Sequence, residues 1–132
     1  MLLYLVRHAE AAPGNPDELR PLTPRGRRDA QALGARLRRE AGHVDAVLSS
    51  PLLRARQTGE AIARATGLEL EPHELLAPGA TADAVLLAAA AHGETVVVVA
   101  HNPDCQQIAA ELGAPAAHGF PPAGLALIDV AR

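Results

Sequence analysis

The stretch ETVVVVAHNP, residues 94–103, decides how the chain folds. Its four consecutive valines are β-branched and apolar, which is typical of a short strand buried on both faces of a parallel sheet. The apolar run stops at His101, and Asn102 and Pro103 then carry the start signal of a helix. A strand that passes directly into a helix at a polar residue is the unit from which α/β proteins are built.

The same unit recurs along the whole chain. Further strands are predicted for LLYLV (2–6), DAVLSS (45–50), LELEPH at a sheet edge (68–73) and LALIDVA (125–131). Helices are predicted from Pro24 to near Gly42 with Thr23 as N-cap, from Ser50-Pro51 to Gly67, over 82–91, and from Asn102-Pro103 to about Leu112, with a loop at 113–124. We therefore expect an α/β fold, a single-domain three-layer sandwich over 1–132 with a mostly parallel central sheet flanked by helices.

Composition limits the functions open to the chain. A length of 132 residues suits one domain, and 48% apolar with 20% charged residues is ordinary for a soluble protein. Cys105 is the only cysteine, so no intrachain disulfide is expected, and all 12 basic residues are arginine, which excludes a P-loop or Schiff-base lysine. Because no apolar run reaches membrane-spanning length, we expect a cytoplasmic protein with no membrane partner. The net charge of −3 and the presence of only two aromatic residues argue against nucleic acid as a partner.

Basic side chains cluster where the predicted strands end. Arg7 and His8 follow the first strand, Arg54 lies in the first turn of the helix after the second, and His101 follows the valine strand. Carboxyl ends of parallel strands share one edge of a sheet, so these four side chains are expected to meet. Guanidinium groups match phosphoryl oxygens, and a neutral imidazole can attack phosphorus or donate a proton. The helix start at Asn102 would add N–H groups, and the sequence therefore predicts a site for a phosphoryl dianion.

Four segments resemble one family in its own order along the chain. LVRHAEA (5–11), RPLTPRGRRDA (20–30), VLSSPLLRARQT (47–58) and VVVVAHNP (96–103) are similar to the signature segments of the histidine phosphatase superfamily, whose fold is phosphoglycerate mutase-like. The motifs RHAEA and RPLT and the small size of the chain resemble the branch of small SixA-type phosphohistidine phosphatases.

The resemblance implies a mechanism without metal or cofactor. His8 would be the nucleophile and become phosphorylated, Arg7, Arg54 and His101 would clamp the phosphoryl oxygens, and water would hydrolyse the phosphohistidine. Larger members carry a glutamate after the third strand that protonates the leaving oxygen. Glu74, in PHELLAPG (72–79), is the corresponding candidate in this chain.

Three functions remain open at this stage. The chain could be a phosphatase acting on a phosphorylated protein that carries a phosphohistidine domain, the same enzyme acting on a small phosphate ester, or a phosphate-binding module without turnover. The short chain leaves little room for an inserted lid, so we expect an open cleft, in a monomer or weak dimer.

Structural or solvent-exposed roles are expected for the other residues that stand out in the sequence. Helix capping suffices for Ser49 and Ser50 before Pro51. Glu10 and Asn15 are expected to be solvated loop residues. The arginines within residues 25–28 are expected on a solvated helix face, and Cys105 is expected at a helix position near the pocket. Surface positions without metal-ligand spacing are expected for four histidines: His43, His73, His92 and His118.

Overall fold

Five strands form one mixed sheet in the computed structural model, which describes residues 1–114 and 119–131. The strands are β1 (Leu2–Arg7), β2 (Ala46–Ser49), β3 (Leu70–Pro72), β4 (Thr95–Ala100) and β5 (Leu125–Asp129). Their order across the sheet is β3-β2-β4-β1-β5, with β5 antiparallel to β1 and the other neighbouring pairs parallel. The described helices are α1 (Pro24–Ala41), α2 (Leu53–Thr66), α3 (Ala82–Ala90) and α4 (Asp104–Glu111), with 3₁₀ turns at Asp17–Leu19 and Glu74–Leu76. This architecture confirms the predicted α/β fold class.

The two faces of the sheet bury two different helix pairs. Along β4, Val96 and Val98 point into a core with α3 and α4, whereas Val97 and Val99 point into a core with α1 and α2. All four valines are fully buried, and burial of a valine side chain contributes about 1.5–3 kcal/mol. The run of valines is therefore explained by the central place of β4 in a three-layer sandwich.

Several predicted boundaries need correction. The second helix was expected to begin at Ser50-Pro51, but α2 begins at Leu53, and the Ser50 hydroxyl also contacts His101, as described below. Likewise α4 begins at Asp104 rather than at 102–103. Part of the predicted loop at 113–124, including His118, lies outside the described residues. Within the described ranges, no helix is long and apolar enough to cross a membrane.

The start of α1 is held by a contact between two of the sequence segments quoted above. Thr23 caps the helix, since its hydroxyl accepts a hydrogen bond from the Gly26 amide at 2.9 Å. The Thr23 hydroxyl also donates to the Glu10 carboxylate at 2.8 Å, and the Thr23 amide donates to the Glu10 carbonyl at 3.0 Å. A Cβ atom on Gly26 would overlap that carbonyl oxygen. Glu10 thus has a structural role rather than the loop solvation expected from the sequence.

We expect Gly26→Ala to destabilise the protein by about 1–3 kcal/mol, because the added methyl group must push the Glu10 backbone away from the helix start. Urea unfolding of the two proteins measures the difference. The matched control is Ala32→Ser on the exposed face of the same helix, which should change the free energy of unfolding by less than about 0.5 kcal/mol. Equal stability of the Gly26→Ala variant and the parent would contradict the argument.

Candidate active site

The two predicted site histidines are brought together by the pairing of β1 with β4. The strands are parallel, and Arg7 stands opposite Ala100, so His8 and His101 leave the sheet side by side. The His8 amide donates to the Ala100 carbonyl at 3.0 Å. The two imidazole rings meet edge to face, with their centroids 5.2 Å apart.

One hydrogen bond sets the tautomer of His8. Its Nδ1 lies 2.8 Å from the Ala9 carbonyl oxygen, which can only accept, so Nδ1 carries the hydrogen. In the neutral ring, Nε2 then keeps its lone pair. The Ala9 amide is itself anchored to the Thr58 hydroxyl at 3.0 Å, and that hydroxyl donates to the Arg54 carbonyl at 2.9 Å. Thr58 therefore ties the segment of His8 to the first turns of α2.

Arg7 and Asn102 share an acceptor. Arg7 Nη1 and Asn102 Nδ2 both donate to the Phe120 carbonyl, at 2.8 and 3.0 Å. Arg7 Nε and Asn102 Oδ1 are buried without a hydrogen-bond partner among the described residues. A buried guanidinium N–H without a partner is costly, which marks Arg7 as a group that a bound anion would satisfy.

Arg54 is buried and already paired with a carboxylate. Its Nη1 donates to the Asp17 carbonyl at 2.9 Å, and its Nη2 lies 3.2 Å from Asp17 Oδ2. The Arg54 side chain is 9% exposed, and that of Asp17 is 61% exposed. The other carboxylate oxygen of Asp17 accepts from Arg20 Nη1 at 3.0 Å. This hydrogen bond from Arg20, followed by the one from Arg54, lowers the pKa of Asp17.

Ser50 belongs to the site, although helix capping was the expected role. Its Oγ lies 2.7 Å from His101 Nε2 and accepts a weaker hydrogen bond from the Leu52 amide at 3.2 Å. Ser50 is fully buried, and His101 Nδ1 is buried without a partner among the described residues. The sequence signal was present, because Ser50 lies inside the family-like segment 47–58. Asp17, 37 residues from Arg54, had no such signal.

Both imidazoles are hard to protonate. The pKa of His8 is lowered to about 4, chiefly by burial and also by the charges of Arg54, Arg7 and Arg20, against the hydrogen bond to Ala9, which raises it. The pKa of His101 is likewise lowered to about 4, chiefly by burial and also by repulsion from His8 and Arg54. The two rings are therefore neutral near pH 7, so His8 Nε2 is available as a nucleophile.

Two further residues were candidates by position, Glu74 and Cys105, and Cys105 adjoins the site because its amide donates to the His101 carbonyl at 2.8 Å. Glu74 begins the 3₁₀ turn after the edge strand β3, and its exposed carboxylate has no described hydrogen bond to Arg7, His8, Arg54 or His101. Cys105 is buried in α4, and burial raises the pKa of its thiol to about 12, so it stays protonated. Among the described residues, no group of three or more metal-ligating side chains is placed to hold a metal ion.

Comparisons with known proteins agree with this geometry. The model of the histidine phosphatase superfamily (branch 1) matches residues 3–77. An uncharacterized protein of Picosynechococcus sp. is 39% identical over 115 residues, covering 79% of this chain and 68% of the relative. A protein assigned as the phosphohistidine phosphatase SixA of Agrobacterium tumefaciens superposes with a TM-score of 0.81 at 30% identity, covering 98% of this chain and 91% of that one. The alpha-ribazole phosphatase of Shigella flexneri shares the fold at 19% identity, with a TM-score of 0.76 and coverage of 100% and 92%. The chain therefore belongs to the histidine phosphatase superfamily and is a phosphatase.

The lowered pKa values predict a pH dependence with a definite sign. Between pH 6.5 and about 4, the unfolded chain binds protons at positions 8 and 101 that the folded chain does not. The free energy of unfolding should therefore fall as the pH decreases through this window. An NMR titration, with the ring signals assigned from His8→Asn and His101→Asn, should show both rings titrating near pH 4. A pKa near 6.5 for the ring of His8 or of His101 in the folded protein would contradict the prediction.

Proposed function

We propose that this protein is a metal-independent phosphatase that acts through a phosphohistidine on His8, and that its substrate is a phosphohistidine on another protein. The observation that carries the proposal is the hydrogen bond from His8 Nδ1 to the Ala9 carbonyl, beside a second neutral imidazole. It leaves the lone pair of Nε2 free, and the charges of Arg54, Arg7 and Arg20 act on the same ring.

In the first step, His8 Nε2 attacks phosphorus. A new N–P bond forms as the bond to the leaving group breaks, and the leaving group takes that bond's electron pair. The His8 ring becomes a cation whose Nδ1–H still donates to Ala9. In the second step, water attacks phosphorus, the N–P electron pair returns to His8, and inorganic phosphate leaves after the water has lost a proton to solvent.

The other site residues neutralise the phosphoryl oxygens. Arg7 offers its unpartnered Nε–H, and Arg54 offers a buried guanidinium fork. We assign the Ser50 hydroxyl as donor to His101 Nε2, which places the ring hydrogen on Nδ1, the buried atom without a described partner. Nδ1–H then donates to the phosphoryl group, while Asn102 holds the Phe120 carbonyl that also orients Arg7.

We assign Glu74 a role as proton donor for ester substrates only. It stands at the carboxyl end of β3, on the edge of the sheet where the site lies, and an ester needs a proton on its leaving oxygen. A phosphorylated imidazole that is protonated on its second nitrogen leaves as a neutral ring and needs no acid. An enzyme that acts on phosphohistidine does not need Glu74, which has no described hydrogen bond to the four site residues.

Replacement of His8 should abolish turnover. We expect His8→Asn to lower kcat for an aryl phosphate by a factor of about 10³ or more, since the nucleophile is lost. Rapid acid-free quenching with ³²P-labelled aryl phosphate should trap an acid-labile, base-stable phosphoprotein in the parent and none in the variant. The matched control, His43→Asn, changes a histidine whose side chain is 82% exposed and should leave kcat unchanged. Binding of tungstate without turnover by the parent would instead identify a non-catalytic binding module.

Substrate class is decided by comparing kcat/KM for a phosphohistidine-bearing domain with kcat/KM for a panel of sugar and nucleotide-precursor phosphates. We expect the phosphoprotein to be preferred by a factor of about ten or more, and the exposed Asp17 carboxylate beside Arg54 supports a site that a large substrate can reach. A preference of several orders of magnitude for a metabolite would establish the small-ester phosphatase instead.

A further inference from the structure

The anion-binding fork of Arg54 is already in contact with an anion of the protein itself. Asp17 bonds to Arg54 twice, through its carbonyl and through Oδ2. Its other carboxylate oxygen is held by Arg20, whose Nε in turn donates to the Ala12 carbonyl at 2.8 Å. The carboxylate is thus fixed from the side of Arg20 as well as from the side of the site. When a phosphoryl group binds one N–H group of the Arg54 guanidinium, the hydrogen bond from Arg20 still holds Asp17 next to the phosphoryl group.

The charge of Asp17 also reaches the ring of His101, where it opposes the lowering of the pKa. In-line displacement sends the leaving group away from His8, and we place its path on the exposed side of the site, where Asp17 lies. The Arg54 side chain is 9% exposed and the Asp17 side chain is 61% exposed, so the carboxylate lies between the buried guanidinium and solvent. A negative charge at this position repels a phosphoryl dianion unless the leaving group brings a compensating positive charge.

We propose that Asp17 is a specificity-determining residue that binds the protonated imidazole of a phosphohistidine substrate and so favours cleavage of P–N over P–O bonds. This inference rests on the proposed function and deepens it. The substrate ring carries its phosphoryl group on one nitrogen and a proton on the other, which makes the ring a cation that a carboxylate can bind.

The transfer balances without any further acid. As His8 Nε2 bonds to phosphorus, the P–N bond of the substrate breaks and its electron pair stays on the departing nitrogen. The substrate ring leaves as neutral imidazole, still protonated on its other nitrogen, and the positive charge passes to the His8 ring. With a phosphate ester, the departing oxygen instead gains negative charge close to the Asp17 carboxylate, which raises the barrier.

The test compares two small substrates on one preparation at one pH. The parent and the Asp17→Asn variant are assayed with phosphoimidazole, a P–N substrate, and with 4-nitrophenyl phosphate, a P–O substrate. The readout is the ratio of the two kcat/KM values, which does not depend on the folded fraction of the preparation. Asparagine keeps the size of the side chain, and the main-chain bond from Arg54 to the Asp17 carbonyl is unaffected by the substitution.

We expect Asp17→Asn to lower the ratio by a factor of roughly three to ten, as for loss of one exposed charge pair. The value for phosphoimidazole should fall, and the value for 4-nitrophenyl phosphate should stay constant or rise. Asp17→Glu, which keeps the charge, should restore most of the preference. The matched control, Glu18→Gln, removes the neighbouring exposed carboxylate of the same 3₁₀ turn and should leave the ratio unchanged.

Two failures can be told apart. If the parent hydrolyses both substrates through His8 but Asp17→Asn leaves the ratio unchanged, or lowers both values equally, the role of Asp17 is overturned and the proposed function stands. If the parent hydrolyses neither substrate, the proposed function fails, and the inference fails with it.

Discussion

The parallel pairing of β1 with β4 is the constraint on which the rest of this structure depends. It sets Arg7 opposite Ala100, and so delivers two imidazoles to one place at the edge of the sheet. Because β4 is covered by helices on both faces, the backbone that carries His101 is buried and rigid. The site therefore lies on strand ends, which position side chains more precisely than loops do.

Around these two imidazoles, the fold brings arginines together, and it limits the resulting positive charge in two ways. Burial and the nearby arginines keep both rings neutral, which gives His8 a nucleophilic nitrogen near pH 7. The one compensating carboxylate described at Arg54 comes from Asp17, which is exposed and borne on a short 3₁₀ turn. A site with the two guanidinium groups of Arg7 and Arg54 and an exposed acid beside Arg54 suits a ligand that is anionic at one end and cationic at the other.

Local rules predicted the elements of the fold well where one signal acted alone. Thr23 and Pro24 begin α1 as predicted, and Gly67 ends α2 in the left-handed conformation, at φ 74°. The local rules failed where a side chain formed a hydrogen bond with a residue far away in the sequence. Serine is a residue type that favours the N-cap position, but the Ser50 hydroxyl also bonds to His101, and α2 starts later without a side-chain cap. A propensity rule weighs only neighbours in sequence, and it cannot weigh a partner 51 residues away.

The sequence by itself determined the fold class and predicted that Arg7, His8, Arg54 and His101 meet, because each of them ends or closely follows a strand that apolar residues make readable. Only the tertiary structure decided what each side chain does there. The tautomer of His8, the partner of His101 and the pairing of Asp17 with Arg54 depend on distances between segments that are far apart in the chain. A pattern of residue types carries no such distances, and a loop residue such as Asp17 has no periodicity from which its direction could be read.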